Sequence, residues 1–153
     1  MAQITFGPLA EVDPELLLSM LLDPGVRRHM PLAGDNWDEQ TASDWAKGKD
    51  AQWQENGFGP WAILLDGKFA GWGGFQKEED EVDLGLVLLP QHWGEGAAIF
   101  RLLVERGREM RLANVTIMLP PSRRRLNSLA RLGFTPMADV EYAGERFHKF
   151  RLD

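Results

Sequence analysis

Residues 84–107, LGLVLLPQHWGEGAAIFRLLVERG, are the most informative segment of the sequence for the fold. It begins as an alternating apolar strand, reaches Pro90, passes through a loop with Gly94 and Gly96, and continues as an amphipathic helix. A strand that enters a helix through glycines gathers backbone N–H groups and the positive end of a helix dipole at one point. The pattern therefore predicts a phosphate or pyrophosphate site, unless the glycines only shape a turn.

The residues before this stretch predict an antiparallel meander. Apolar runs at 60–65 and 68–75 flank the pair Asp66-Gly67, which is a strong hairpin signal. After a polar turn at 76–81, residues 82–89 alternate as a third strand. Three consecutive strands are thus expected before the helix.

The remaining segments predict an α+β (mixed α/β) domain. A short strand at 4–6, a helix opening at Pro14, a turn at 26–30 and a helix at 37–55 come first. A strand at 114–119, a helix capped by Ser122 and two strands at 134–140 and 146–152 come last. The strand-helix-strand unit should be parallel and right-handed, within a mostly antiparallel sheet that has helices on both faces.

Length, cysteine content and net charge limit the classes of function that this protein can have. The 153 residues suit one domain, 1–153. The absence of cysteine excludes disulfides, thiolate metal sites and an acyl-cysteine intermediate. A net charge of −6 argues against nucleic acid as a partner. No targeting or membrane-spanning segment is recognised, so a cytoplasmic location without membrane attachment is expected. The oligomeric state is open, a homodimer included.

The glycine loop fits neither ATP nor NAD motifs. A Walker lysine is missing, and a dinucleotide fingerprint needs a third glycine where Ile99 stands. The pattern tryptophan-glycine-x-glycine-x-alanine, residues 93–98, resembles the acetyl-CoA loop of GNAT acetyltransferases, and within them the branch of ribosomal-protein alanine N-acetyltransferases. Three more segments stand in the family's order: LLDPGVRRHMP (21–31), GPWAILLDGKFAGWGGF (59–75) and LNSLARLGF (126–134). The resemblance covers nearly the whole chain.

The resemblance implies acetyl-CoA (coenzyme A) as cosubstrate and no metal. It implies a strand at 82–89 that a bulge splays from the strand at 114–119, with the pantetheine arm in the opening. An amide of Val87 or Leu88 would stabilise the thioester oxygen. The implied cofactor contacts are Val87, Leu88, Leu89, Gly94, Glu95, Gly96, Ala97, Ala98, Ile99, Ser122 and Arg123.

Several positions depart from the family's pattern. Glu95 stands where the family usually has a lysine or arginine, and Ser122 replaces an asparagine. Leu129 occupies the position of a tyrosine that often protonates the leaving thiolate, and Tyr142, the only tyrosine, lies outside that motif. The arginines 123–125 either face the 3′-phosphate of CoA or form a solvated basic face. A non-catalytic acyl-CoA-binding or protein-interaction module is the alternative function.

An amine must lose a proton to attack a thioester, so a base is expected. Asp83 is the leading candidate, because it shares a face of its strand with Gly85 and matches a position that is frequently acidic in the family that the sequence resembles. Otherwise it is a solvated aspartate at the start of its strand. His29, His92 and His148 stand at no motif-supported position. Tryptophans before the loop, at 37, 45, 53, 61 and 72, either wall an acceptor pocket or fill the core. The expected reaction is direct acetyl transfer to a primary amine: a protein N-terminus, an aminoglycoside-like compound or a small molecule.

Overall fold

The computed structural model describes residues 2–27, 37–119, 126–142 and 144–152. Its strands form one sheet in the order β1-β2-β3-β4-β5-β8-β6, and β7 pairs with β8 beside that path. Neighbouring strands are antiparallel except for β4 and β5, which are parallel. The strands are β1 (Ile4–Gly7), β2 (Pro60–Leu65), β3 (Lys68–Glu78), β4 (Glu81–Leu88), β5 (Val115–Leu119), β6 (Phe134–Pro136), β7 (Val140–Tyr142) and β8 (Glu145–Leu152).

The helices begin and end at residues suited to those positions. Asp13 caps the first helix by accepting a hydrogen bond from the amide of Glu15, and Pro14 is its first residue. Asp38 and Thr41 form a reciprocal capping box on the third helix, which ends at Gly57 in the left-handed conformation. The helices are α1 (Pro14–Leu22), α2 (Pro24–Arg27), α3 (Glu39–Asn56), α4 (Gly96–Glu109) and α5 (Leu126–Arg131).

Two apolar cores lie on opposite faces of the sheet. One packs α4 against the strands through Ile99, Leu103 and Val104. The other joins α1, α2 and α3 to β2 and β3, with Trp72 among its buried side chains. The sheet is therefore a layer between helices, as the alternation in its strands predicts.

The mixed α/β class, the meander and the parallel strand-helix-strand unit are confirmed. The single strand expected at 134–140 is wrong, because β6 and β7 pair with different parts of β8 and residues 137–139 pass between them. Part of the turn expected at 26–30 is the short helix α2, and its remainder lies outside the described residues. Within the described ranges, no helix has the length and hydrophobicity needed to cross a bilayer.

Candidate active site

The parallel strands β4 and β5 separate soon after they meet. They pair only at Val82 with Val115 and at Asp83 with Thr116. Beyond Asp83, β4 stays paired with β3 as far as Leu88, whereas its β5 side is open. The splayed strand pair is thus present, but the bulge expected in β4 is not: its register with β3 is unbroken.

Backbone hydrogen bonds show which amides of β4 line this opening. The amide of Val82 donates to the Asn114 carbonyl towards β5, and that of Leu89 donates to the Ala70 carbonyl towards β3. Because amides alternate along a strand, those of Leu86 and Leu88 point into the opening. Val87 and Leu89 donate on the β3 side. Of the two amides expected at the thioester oxygen, that of Leu88 points into the opening and that of Val87 points towards β3. The amide of Leu86, which sequence reasoning did not name, also points into the opening.

The glycine loop is more regular than expected. Residues Pro90–Glu95 form a 3-10 helix that continues into α4, and the amide of Gly96 donates to the Trp93 carbonyl. The indole of Trp93 donates to the Leu88 carbonyl at 2.9 Å and so ties this turn to the end of β4. The amide of Gly96 is therefore not among the free loop amides that were expected to contact a phosphate.

The surface of the turn is nevertheless open. A Cβ atom added to Gly94 would meet nothing within 4 Å, and one added to Gly96 would meet only Leu88 Cδ1 at 3.7 Å. Ala97 and Ala98 are exposed in the first turn of α4, whereas the side chain of Ile99 is buried in the core. Glu95, the N-cap residue of α4, makes no side-chain cap. A phosphate could approach the helix N-terminus here, close to one carboxylate.

Asp83 lies on the opposite face of β4 from the α4 core. It stands across from Gln76 of β3, at the last paired position before the strands separate. Burial raises its pKa to about 6, and the nearby carboxylates Glu78 and Glu81 act in the same direction against Lys149 and Lys49. A carboxyl group with this pKa is a proton acceptor at neutral pH.

Helix α3 brings a second polar group to the same face. The ammonium of Lys49 donates to Gln76 Oε1 at 2.7 Å, and its Nζ lies 4.8 Å from the ring centroid of Trp72 and 5.8 Å from that of Trp45. Burial lowers the pKa of Lys49, opposed by Glu78 and Asp83. Sequence reasoning missed Lys49, although its position four residues after Trp45 places both on one side of the helix.

The other predicted residues lie elsewhere. His29, Ser122, Arg123, Arg124 and Arg125 fall outside the described residues. His148 contacts Asp139, with 3.0 Å between Nδ1 and Oδ1. His92, partly buried, lies in the 3-10 turn.

The residue at the tyrosine position and two of the five tryptophans have partners of their own. Leu129 is 7% exposed and belongs to the α4 core, so an apolar contact fills the position of the family's tyrosine. Trp53 donates to the Pro60 carbonyl, and Trp61 stacks on Phe6 with centroids 5.1 Å apart. In the described part of the chain, no group of three or more His, Asp or Glu residues could hold a metal ion.

Comparison with known proteins identifies the family. The family model of the acetyltransferase (GNAT) domain matches residues 3–134. Among solved structures, an acetyltransferase from Agrobacterium tumefaciens str. C58 aligns with a TM-score of 0.72 and 22% identity, covering 100% of this chain and 94% of that one.

Two further structures of similar fold were solved with a bound cofactor. RimL, a ribosomal L7/L12 alpha-N-protein acetyltransferase in complex with coenzyme A, has a TM-score of 0.72 and 16% identity, with 97% of this chain and 92% of that chain covered. The microcin C7 self immunity acetyltransferase MccE, in complex with acetyl-CoA and AMP, has a TM-score of 0.71 and 15% identity. The alignment covers 97% of this chain and 91% of that chain.

Proposed function

The chain belongs to the GNAT acetyltransferase family, whose general activity is acetyl-CoA-dependent acetyl transfer; from this premise we propose that it transfers an acetyl group directly to a primary amine, with Asp83 as the base. The observation that carries the proposal is the opening between β4 and β5. It presents the amides of Leu86 and Leu88 on one edge and begins at Asp83. A cytoplasmic location belongs to the same proposal.

The residues of the opening fit acetyl-CoA, which would supply the acetyl group as a thioester. The pantetheine arm would lie along the open edge of β4 as an added strand does, accepting hydrogen bonds from its free amides. The pyrophosphate would lie at the exposed first turn of α4, at the amides of Ala97, Ala98 and Ile99, beside Gly94, Glu95 and Gly96. Ser122 and Arg123 are proposed as further contacts on sequence grounds alone.

The amide of Leu86 or Leu88 would donate to the thioester oxygen as negative charge develops there. Strands rise about 3.3 Å per residue, so Asp83 lies about 10 Å from Leu86 along β4 and about 16 Å from Leu88. Asp83 therefore accepts the amine's proton through a chain of water molecules and not directly. The nitrogen–carbon bond forms and the carbon–sulfur bond breaks. Of the two protons that the ammonium loses, one passes through Asp83 to solvent and the other ends on the departing thiol.

Two measurements test this function. Acetyl-CoA should raise the melting temperature of the protein, whereas ATP and NAD at equal concentration should do much less, because only a ligand of the native state stabilises it. Gly96→Val should abolish that shift while the protein still folds, since the new side chain would stand in open space beside Leu88. An unchanged shift in this variant would place the cofactor elsewhere.

A non-catalytic acyl-CoA-binding module is the second candidate, favoured by the buried Leu129 at the tyrosine position. Release of free thiol from acetyl-CoA with a panel of primary amines separates the two. The panel should contain peptides with a free N-terminus, an aminoglycoside, a polyamine and amino acids. An enzyme releases CoA with some acceptor, whereas a binding module shows the thermal shift and releases none.

A further inference from the structure

A recess lies beside Asp83 on the face of the sheet that α3 covers. Gly74 and Gly85 stand directly opposite each other in the pairing of β3 with β4. A Cβ atom added to Gly85 would approach only Asp83 Oδ2, at 3.8 Å. Gly74 has a φ of +147°, and a Cβ atom there would lie 2.6 Å from the Gly59 carbonyl oxygen, so only glycine fits. The backbone of both strands thus forms the floor.

Side chains rise at both ends of this recess. Gln76 and Asp83 form the cross-strand pair at one end, and Trp72 and Val87 form the pair at the other. Gln76 and Trp72 are four residues apart, about 13 Å along the strand. Lys49 Nζ is 2.7 Å from Gln76 Oε1 and 4.8 Å from the Trp72 ring centroid, so the ammonium lies between these two side chains.

The recess therefore holds two opposite charges that do not pair with each other. Among the described residues, no ion pair joins Lys49 to Asp83. An ammonium has three donors, and the amide oxygen of Gln76 takes one of them.

The nearby indole N–H of Trp72 is also unsatisfied. Its side chain is 6% exposed, and within the described ranges Nε1 has no hydrogen-bond partner. A buried donor without an acceptor is costly, so an oxygen atom from a ligand would stabilise this region.

Building on the proposed function, we propose that the acceptor is a free amino acid, whose carboxylate faces Lys49 and the indole N–H of Trp72 and whose amine is directed towards the opening between β4 and β5, linked to Asp83 through water. The two ends of a zwitterion complement the two charges, and its short backbone suits a floor of two glycines. A polyamine or an aminoglycoside would bring further cations against Lys49, and a peptide N-terminus offers only a neutral carbonyl there. Lys49 and Trp72 are specificity-determining residues in this arrangement.

Paired ligands test the assignment without relying on catalysis. The standard L-amino acids and the C-terminal amide of each are titrated into the protein by calorimetry, in the absence of acetyl-CoA. At least one free acid should bind about ten- to a hundredfold more tightly than its amide, the usual worth of a charge-assisted hydrogen bond. The same acid should give the larger kcat/KM in thiol release from acetyl-CoA.

Two variants assign that preference to residues. Lys49→Gln should remove most of the preference for the acid over the amide while the acetyl-CoA thermal shift persists. Lys47→Gln is the matched control, because it removes the same charge from an exposed position of the same helix, and it should keep the preference. Trp72→Phe keeps an aromatic ring and removes the N–H, so it should weaken binding of the acid by a smaller factor.

The outcomes separate this inference from the proposed function. If a free acid binds selectively through Lys49 but no CoA is released, amino-acid binding in the recess is supported and the proposed acetyl transfer is contradicted. Amides or polyamines that bind or react as well as the acids, or an acid preference that survives Lys49→Gln, would overturn the amino-acid assignment and leave acetyl transfer standing.

Discussion

The two faces of β4 have opposite characters. Leu84 and Leu88 point into the apolar core with α4, whereas Asp83, Gly85 and Val87 point towards α3. The first face is closely packed: a Cβ atom added to Gly107 of α4 would lie 2.7 Å from Phe75 Cζ. The second contains a glycine recess, a carboxyl group of raised pKa and a partly buried ammonium. One strand thus contributes to stability through one face and offers chemistry through the other.

The candidate site lowers the stability of the fold on one face of β4, whereas the other face stabilises it. Burial of apolar side chains on the α4 face stabilises the fold by about 25 cal/mol for each Å² removed from water. Partial burial of Asp83 disfavours its charged form, so at neutral pH this residue lowers the stability of the protein. Substitutions on the two faces should therefore have different consequences.

The largest effect is expected for Asp83→Asn on turnover. The amide keeps the shape of the side chain and removes its basicity, so turnover with a saturating acceptor should fall by about 10²–10⁴-fold. The acetyl-CoA thermal shift should persist. In the unsubstituted protein, turnover should rise with pH up to about 6 and then level off, because the base acts when it is deprotonated.

Initial rates of thiol release between pH 5 and pH 8 check both statements. Asp80→Asn, an exposed aspartate in the turn before β4, is the matched control and should leave the profile unchanged. If Asp83→Asn keeps more than about a tenth of the turnover at pH 7, Asp83 is not the base. The loss would then be less than about tenfold, which is smaller than the low end of general-base effects.

Next in size is the loss of stability from Phe75→Ala on the α4 face. The side chain is fully buried and contacts Gly107, so its removal should lower the free energy of unfolding by about 3–5 kcal/mol. Chemical denaturation measures the change. Leu16→Ala, which removes an exposed apolar side chain from α1, should cost far less. Equal losses from the two variants would contradict the packing described for this face.

A smaller change of opposite sign is expected for Asp83→Asn on stability. The pKa of Asp83 is raised from 3.8 to about 6, so the penalty is absent below pH 3.8, grows up to about pH 6 and is complete above it. Asparagine removes the penalty and should add up to about 3 kcal/mol to the free energy of unfolding at pH 7. Denaturation at pH 7 and pH 4 should show the gain at the higher pH alone. No gain at pH 7 would mean that the carboxylate is well solvated.

The smallest effect concerns the cofactor turn. Glu95→Lys replaces a negative charge beside the proposed pyrophosphate position with a positive one, and acetyl-CoA should bind about two- to fivefold more tightly, since exposed charges contribute up to about 1 kcal/mol. The gain should shrink as salt is added. Calorimetry at two ionic strengths measures it. Glu105→Lys, an exposed position further along α4, should not change the affinity; a gain there as well would indicate only net charge.

Much of the fold follows from local sequence patterns. The pair Asp66-Gly67 predicts the hairpin of β2 and β3, and the alternation at 82–89 predicts β4, because both signals act within a few residues. The strand expected at 134–140 was wrong for the opposite reason: pairing with β8 decides where β6 ends and β7 begins. The sequence could not show that the amide of Val87 points away from the opening. Its direction follows from which neighbouring strand, β3 or β5, accepts the hydrogen bond from the Leu89 amide.

The order of strands and helices, the glycine turn before α4 and the choice of Asp83 as the candidate base can all be inferred before the structure is known. The first two depend on residue spacing along one segment, and the third depends also on the resemblance to the family. Three features emerge only in the folded chain: β4 and β5 separate after Asp83, Leu86 and Leu88 present the free amides, and Lys49 lies between Gln76 and Trp72. These features join segments that are distant in the chain, and their geometry is fixed by sheet register and helix packing, which no local spacing encodes.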